Sequence, residues 1–292
     1  PTPGRLVAPF AFGAVVLALV LAVLTSPAAQ TEVLPGLLYT PLTIYARWIA
    51  LLLGALIVLV NWHQPVAPER GEYMAMILFS LLGILVTAAA SDLVVLFFAI
   101  ELVSVPTYVL IALSRDDARA SEASVKYFFL GALSAAILAF GVAYLYGSLG
   151  TTSLAAAAVP AAWATHATIG LLLVFAGLSF KIAAAPFHVY VGDVYEGAAA
   201  PVTGMLGFAH KFAGFLDLIK VFSLFDWNLG LHAAWMIWVV AAATMTIGNV
   251  LALLQKNVKR ILAYSSVAHT GYMLVALLVG PISGHGPLRD GV

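Results

Sequence analysis

Runs of about twenty apolar residues recur along the whole chain and restrict what it can fold into. We count nine of them, with the approximate bounds 6–25, 41–62, 72–91, 93–113, 124–147, 167–195, 202–224, 232–254 and 260–280. About twenty residues of helix cross a bilayer, and the runs lack the apolar–polar alternation of a membrane β-barrel. Only 9% of residues are charged, against about 25% in a soluble domain. The sequence therefore predicts an all-α, polytopic integral membrane protein with about nine transmembrane helices.

The sixth run, 167–195, is too long for one straight crossing. It contains Pro186, which lacks a backbone donor and clashes with the preceding helical turn. We expect one broken helix here, with Lys181 just before the break. Unwound backbone is tolerated at membrane depth only against protein or a water-filled cavity. The break therefore favours a transport path over inert packing.

Basic residues fall almost entirely in alternate loops. One side carries Arg5, Arg70, Arg115, Arg119, Lys126, Lys256, Lys259 and Arg260, whereas Arg289 is the clearest basic residue opposite. The positive-inside rule makes the first side cytoplasmic. This asymmetry and the alanine-rich composition favour the inner (plasma) membrane of a bacterium, with an organelle inner membrane as the alternative. Arg5, the first run and the small residues 26–29 also resemble a secretory signal, so cleavage of this span stays open.

Several functions are excluded by what the sequence lacks. The formal net charge is zero, so no basic face suggests nucleic acid. Without cysteine there is no disulfide, thiolate metal site or cysteine-ligated iron–sulfur cluster. Without a glycine-rich phosphate loop we expect no bound nucleotide. We therefore expect that this chain itself binds no cofactor or metal.

Three charged residues lie near the middle of apolar runs: Glu101, Lys181 and Lys211. Each such charge costs about 2.5–3.5 kcal/mol on insertion scales, so a fold keeps it only with a partner, a water path or a function. Burial disfavours a charged lysine and a nearby carboxylate favours it. Moving Glu101 relative to Lys181 would therefore change whether the lysine keeps its proton. We predict that the three residues form a proton or ion pathway.

Other polar residues have weaker interpretations. Three histidines are candidate proton relays, although each could instead be a hydrogen-bonded core residue: His188, His210 and His269. Asp193 and Glu196 are interpreted first as solvated charges at a helix end. Asp217 and Lys220 are three residues apart and can pair on one helix face, which we interpret as structural.

Five segments together resemble the antiporter-like membrane subunits of respiratory complex I, the NADH–quinone oxidoreductase. They are Ile100–Pro106, Glu122–Phe128, Phe180–His188, Asp193–Gly197 and Asn257–His269. The Val194–Gly197 version resembles subunit N in particular, whose mitochondrial counterpart is NADH dehydrogenase subunit 2. The similarity runs in consistent order from about residue 72 to 280.

The resemblance implies two inverted five-helix repeats and a role in proton pumping, with Glu101, Lys181 and Lys211 in one half-channel. It implies three parts: N-terminal helices (1–71), one complete antiporter-like repeat (72–224) and the incomplete start of a second (225–292). NADH, FMN, iron–sulfur clusters and quinone are expected in partner subunits. The expected partners are other complex I membrane subunits and the lipid bilayer.

The chain departs from the family in length, because the family has about fourteen helices and the sequence predicts nine. In the family the second repeat carries a further lysine-bearing broken helix, and nothing after Gly280 corresponds to it. The chain could therefore be a fragment, or the product of a split gene in which a separate chain supplies the missing helices. Two alternative functions stay open. One is an independent Mrp-type sodium/proton antiporter subunit, and the other is a structural scaffold of a membrane arm.

Overall fold

The computed structural model describes residues 6–25, 31–63, 70–114, 118–154, 164–225, 227, 229 and 231–282. Within these ranges lie ten α-helices and one two-stranded β-hairpin. The helices are α1 Val7–Leu24, α2 Pro41–Val60, α3 Arg70–Ala89, α4 Leu93–Ser114, α5 Ala118–Leu149, α6 Ala164–Lys181, α7 Val191–Gly197, α8 Ala200–Ser223, α9 Leu231–Leu253 and α10 Val258–Ile282. The predicted all-α membrane fold is confirmed.

Seven of the described helices are long and apolar enough to cross a membrane: α1 to α5, α9 and α10. The two predicted spans outside this group are those that carry the midplane lysines. Helix α6 has a shorter apolar segment, Thr165–Lys181, because the chain leaves the helix at Lys181. Helix α8 contains Lys211, Asp217 and Lys220 in its sequence, and these charges lower its overall hydropathy.

The predicted break in the sixth run is present. Helix α6 ends at Lys181, and the chain then forms turns up to the short helix α7. Ala183 has a positive φ of 59° within this segment, and the Ala185–Pro186 peptide bond is cis. Lys181 therefore occupies the last position of a half-helix whose continuation is unwound.

A β-hairpin that the apolar runs did not predict precedes α2. Strand β1 (Thr31–Leu34) pairs antiparallel with β2 (Leu37–Tyr39). Gly36, at φ +81°, forms the turn in the left-handed region that favours glycine. Its carbonyl accepts a 2.8 Å hydrogen bond from the Ser91 amide between α3 and α4. The hairpin thus closes the bundle end opposite to the basic loops.

Helices α5 and α6 approach to backbone contact because glycines line their interface. A Cβ atom built on Gly141 would lie 2.6 Å from the Val174 amide nitrogen, and one on Gly177 would lie 2.7 Å from the Leu138 Cβ. Small residues allow such close packing of membrane helices. The Ser134 hydroxyl also donates to the Gly177 carbonyl at 2.8 Å. This interface fixes the half-helix that carries Lys181.

The described basic residues of the predicted cytoplasmic side gather at one end of the bundle. Arg119 and Lys126 of α5 and Arg260 of α10 converge on acidic residues of α7, and Arg70 donates to the Trp62 carbonyl after α2. Other predictions fall on residues outside the described ranges: Arg5, the stretch 26–29, Arg115 and Arg289.

Candidate functional site: a buried chain of ionisable groups

The site begins at an ion pair between α4 and the end of α6. The Lys181 Nζ lies 2.9 Å from the Glu101 Oε1. The Lys181 side chain is fully buried, whereas the Glu101 side chain keeps 19% of its surface exposed. The structure therefore brings together the two midplane charges that the sequence predicted as coupled.

The Lys181 ammonium is further held by two residues of α4 that sequence reasoning missed. It donates to the Ser104 Oγ at 2.8 Å and contacts the Tyr108 hydroxyl at 3.5 Å. Positions 101, 104 and 108 share one face of a helix, so their spacing was the available signal. These two hydrogen bonds and the nearby Glu101 carboxylate explain how the charge is tolerated in the bundle.

Tyr108 reaches Lys181 because α5 has a glycine opposite it. A Cβ atom at Gly131 would lie 2.1 Å from the Tyr108 hydroxyl oxygen. The Tyr108 ring also packs edge-to-face on Tyr127, with centroids 4.8 Å apart. The hydroxyl therefore has a defined position beside the ion pair.

Two side chains and one backbone hydrogen bond satisfy polar backbone groups at the break after Lys181. The Tyr190 hydroxyl donates to the Phe180 carbonyl at 2.8 Å, and the Ala185 amide donates to the Thr244 Oγ1 at 2.9 Å. The Ala184 amide donates to the Ser179 carbonyl at 2.8 Å. Buried backbone groups need such partners. The break is thus a built feature of the bundle.

Thr270 of α10 links the break to the second midplane lysine. Its Oγ1 donates to the Ile182 carbonyl at 2.7 Å and lies 3.0 Å from the Lys211 Nζ, which donates to it. The Lys211 ammonium also donates to the Ser266 carbonyl. Thr270 follows the predicted relay His269 in the sequence. One hydroxyl therefore connects the residue after Lys181 to Lys211.

A small cavity lies between the two lysines. Its walls are Tyr127, Lys181, Ala183, Tyr190, Val191, Val194, Tyr195, Leu206, His210 and Lys211. Its volume, about 10 Å³ for the centre of a water-sized sphere, is about the space of one water. Because both lysines contribute to its walls, the cavity can hold a water between them.

The three candidate histidines lie in different surroundings. His210 is 2% exposed, and its Nε2 lies 3.2 Å from the Thr107 Oγ1. His188 is 8% exposed, in the unwound segment. His269 lies on the exposed surface of α10 and packs edge-to-face on Tyr272. Of the three, only His210 is among the residues that line the cavity between the lysines.

Helix α7 separates this cavity from an open cleft at the basic end of the bundle. Val191, Val194 and Tyr195 line the inner cavity. Asp193, Glu196 and Gly197 instead line the cleft, whose volume is about 180 Å³. The two sets belong to opposite sides of the seven-residue helix. Movement of α7 would therefore open the lysine cavity toward the cleft.

Ion pairs hold α7 in this position, which goes beyond the solvated helix-end charges that we expected. Arg260 Nη1 lies 3.0 Å from Asp193 Oδ1 and 2.9 Å from Glu196 Oε2. Lys126 Nζ lies 3.0 Å from Asp193 Oδ2. The Arg260 hydrogen bond lowers the pKa of Glu196. Burial alone would raise the pKa of Asp193, but hydrogen bonds from Lys126 and Arg260 outweigh burial and lower it.

Asp217 and Lys220 do not form the ion pair that their spacing allows, as far as the described residues extend. Lys220 Nζ donates instead to the Ala88 carbonyl at 2.8 Å and to the Ala90 carbonyl. The last carbonyls of a helix lack intrahelical partners, and the end of α3 thus supplies competing acceptors. Within the described residues the two side chains are therefore not in contact, whereas the structural role that we expected is present for Lys220, which caps the end of α3.

The helical membrane fold and the buried chain of ionisable groups define the class of protein, an antiporter-like membrane subunit. The chain belongs to the NADH:quinone oxidoreductase/Mrp antiporter transmembrane family, which its residues 90–286 match. The predicted resemblance to antiporter-like complex I subunits is thereby confirmed.

Curated relatives carry the name of one particular subunit. The chain is 46% identical over 233 residues to NADH-quinone oxidoreductase subunit N 2 of Koribacter versatilis (strain Ellin345), covering 78% of this chain and 47% of that protein. It is 39% identical over 279 residues to NADH-quinone oxidoreductase subunit N 1 of Thermodesulfovibrio yellowstonii, covering 92% of this chain and 60% of that one. The chain thus spans about half the length of the curated relatives it matches.

Solved structures share the fold. One is a chain of respiratory complex I from Thermus thermophilus with bound aureothin, at a TM-score of 0.80 and 32% identity, covering 94% of this chain and 59% of that chain. Another is a chain of the Mrp complex from Dietzia sp. DQ12-45-1b, at a TM-score of 0.80 and 24% identity, covering 94% and 54%. The second likeness concerns the fold alone.

Proposed function

We propose that this chain is part of a proton-translocating subunit of type N in an NADH–quinone oxidoreductase of a bacterial inner membrane. Support comes first from the Glu101–Lys181 ion pair, 2.9 Å long, at the end of a broken helix. Relatives named subunit N add to this support. In this proposal NADH, FMN, iron–sulfur clusters and quinone belong to neighbouring subunits, which supply the redox energy. Residues 72–224 form the half-channel repeat.

The proposed mechanism couples charge to position. While Glu101 is ionised and close, its charge stabilises the protonated form of Lys181. A displacement imposed by a neighbouring subunit separates the pair, and Lys181 then loses its stabilising partner. Its proton then passes through water in the cavity toward Lys211. Helix α7 controls entry of the next proton from the cytoplasmic cleft.

The experiment uses the assembled complex in proteoliposomes. Lys181→Ala and Glu101→Ala are each expected to lower proton pumping and the coupled reduction of quinone. Lys256→Ala is the matched control, because it removes one positive charge at an exposed position. Assembly is checked in parallel. Normal pumping and normal respiration in both midplane variants would contradict the proposal and leave a scaffold role.

The antiporter alternative is favoured by one observation, the match to a family whose description includes Mrp antiporters. It predicts sodium/proton exchange by the purified chain in liposomes without NADH or any partner subunit. The same assay on Lys181→Ala separates exchange through this site from leakage. Exchange that needs Lys181 but no redox partner would replace the complex I proposal.

A further inference from the structure

Asp217 of α8 is a buried acid that the proposed mechanism does not use. Asp217 is completely buried, with 0% of its surface exposed. Neither carboxyl oxygen has a hydrogen-bond partner among the described residues. A buried carboxylate without partners is costly, whereas a neutral acid, or an ion balanced by nearby charges, is tolerated. Asp217 is therefore placed where gain or loss of a proton has a large energetic consequence.

The position of Asp217 continues the site beyond Lys181. His210, Gly214 and Asp217 follow one face of α8 at the spacing i, i+4, i+7. A Cβ atom at Gly214 would lie 3.5 Å from the Lys181 Cβ and 2.7 Å from the Ile182 Cγ2. Asp217 thus lies one turn past the contact between α8 and the break. That turn leads toward Lys220 and the end of the bundle opposite to the basic loops.

Three charged groups lie around this position. Lys220 is three residues further along α8, and Lys181 with its partner Glu101 lies at the contact between α8 and the break. With all four ionised, the buried set contains two negative and two positive charges. If a proton leaves Lys181 and binds Asp217, one charge of each sign disappears. The net charge of the set stays zero, and the step leaves fewer charges to be stabilised at low dielectric.

We propose that Asp217 is a proton-holding site for the Glu101–Lys181 pair, in addition to Lys211. When the pair separates, an N–H bond of the Lys181 ammonium breaks and an O–H bond forms on the Asp217 carboxylate. The products are a neutral amine and a neutral carboxylic acid. This step rests on the proposed function, because it needs Lys181 to release a proton during turnover.

A purely structural role for Asp217 would be to hold Lys220. The Lys220 ammonium already has acceptors in the Ala88 and Ala90 carbonyls. Asp217 makes no hydrogen bond to it within the described residues. The ionisable carboxyl, rather than a contact made by it, is therefore what position 217 contributes.

The test uses the assembled complex and two readouts: protons moved per NADH, and the redox-triggered infrared difference spectrum. We expect a carboxylic-acid C=O band to appear on turnover in the wild type. Asp217→Asn should remove this band and lower the protons moved per NADH. Asp217→Glu should shift the band and restore pumping. Thr87→Val is the control, because it alters a buried, unpartnered hydroxyl that cannot ionise in this range.

Each result decides one point. A band and a proton yield that survive Asp217→Asn overturn the inference. If Asp217→Asn fails to assemble, an unshifted band in Asp217→Glu overturns it, and a shifted one supports it. Lys181→Ala distinguishes the proposed function from the inference about Asp217. Normal pumping in that variant would contradict the proposed function. If pumping is impaired in Lys181→Ala but the infrared band of Asp217 still appears on turnover, only the inference about Asp217 is contradicted.

Discussion

Glu101 and Lys181 form a contact in which one partner is fully buried and the other is partly exposed. The exposed fraction of the Glu101 side chain is 19%, against 0% for Lys181. Glu101 therefore lies at the surface of this chain, beside the exposed apolar residues Phe98 and Val105, whereas Lys181 lies inside it. This asymmetry assigns Glu101 as the outer member of the pair and Lys181 as the inner one.

The first prediction is that the stability lost with the Glu101 charge can be restored without restoring pumping. Glu101→Gln should destabilise the protein by about 3 kcal/mol, because it leaves a buried ammonium without its counter-charge. The double variant Glu101→Gln/Lys181→Met should recover most of this stability, since no unpaired charge is left. It should not recover pumping. Thermal unfolding and proteoliposome pumping measure the two effects, and recovery of pumping in the double variant would contradict the role of the pair.

Position 131 should control the geometry of the ion pair. Gly131→Ala places a Cβ 2.1 Å from the Tyr108 hydroxyl, so Tyr108 must move away from Lys181. We expect a loss of about 1–3 kcal/mol from overpacking together with lower pumping. Gly147→Ala is the matched control on the same helix, since nothing lies within 4 Å of its built Cβ. Equal effects of both substitutions would refute a specific role for the Tyr108 contact.

Thr270 should be needed for its hydroxyl and not for its shape. Thr270→Val keeps the branched side chain but leaves the Ile182 carbonyl without its donor and removes an acceptor of Lys211. An unsatisfied buried group costs about 1–3 kcal/mol, and we expect proton transfer between the lysines to slow. Thr270→Ser retains the hydroxyl and should pump nearly normally. Equal pumping by the Val and Ser variants would contradict a role for the Thr270 hydroxyl.

Docking of α7 should depend on pH in one direction. The pKa of Glu196 is lowered by the Arg260 hydrogen bond. For an acid whose pKa is lowered on folding, the stabilisation is complete above the ordinary pKa and is lost as pH falls through the lowered value. Hydrogen exchange of the α7 amides, corrected for intrinsic rates, should therefore show constant protection near neutral pH and less protection in acid.

Glu196→Gln is the control for this pH dependence. It removes the titrating group while keeping a hydrogen-bond acceptor for Arg260, so part of the acid-induced loss should disappear. Asp193, whose pKa is also lowered, accounts for the remainder. An identical acid response in the variant would show that another group governs α7.

Sequence reasoning predicted the helices and the three midplane charges because both signals are local. Hydropathy fixes a span within about twenty residues, and a charge within a span is visible without any partner. Ser104, Tyr108 and Thr270 escaped because hydroxyls are common in membrane helices, and only the tertiary fold shows which ones meet an ammonium. The contact between Asp217 and Lys220 that the spacing allows is not formed among the described residues, for a related reason. Spacing on α8 could not reveal the carbonyls of α3.

The glycine-lined interface between α5 and α6 has a mechanical consequence. Two helices packed backbone to backbone resist bending and sliding, so we expect the half-helix that ends at Lys181 to move together with α5. A push delivered along the membrane plane is then not absorbed on that side of the break. The displacement then falls on the segment from Ile182 to Tyr190, where helical hydrogen bonding is interrupted directly beside the ammonium.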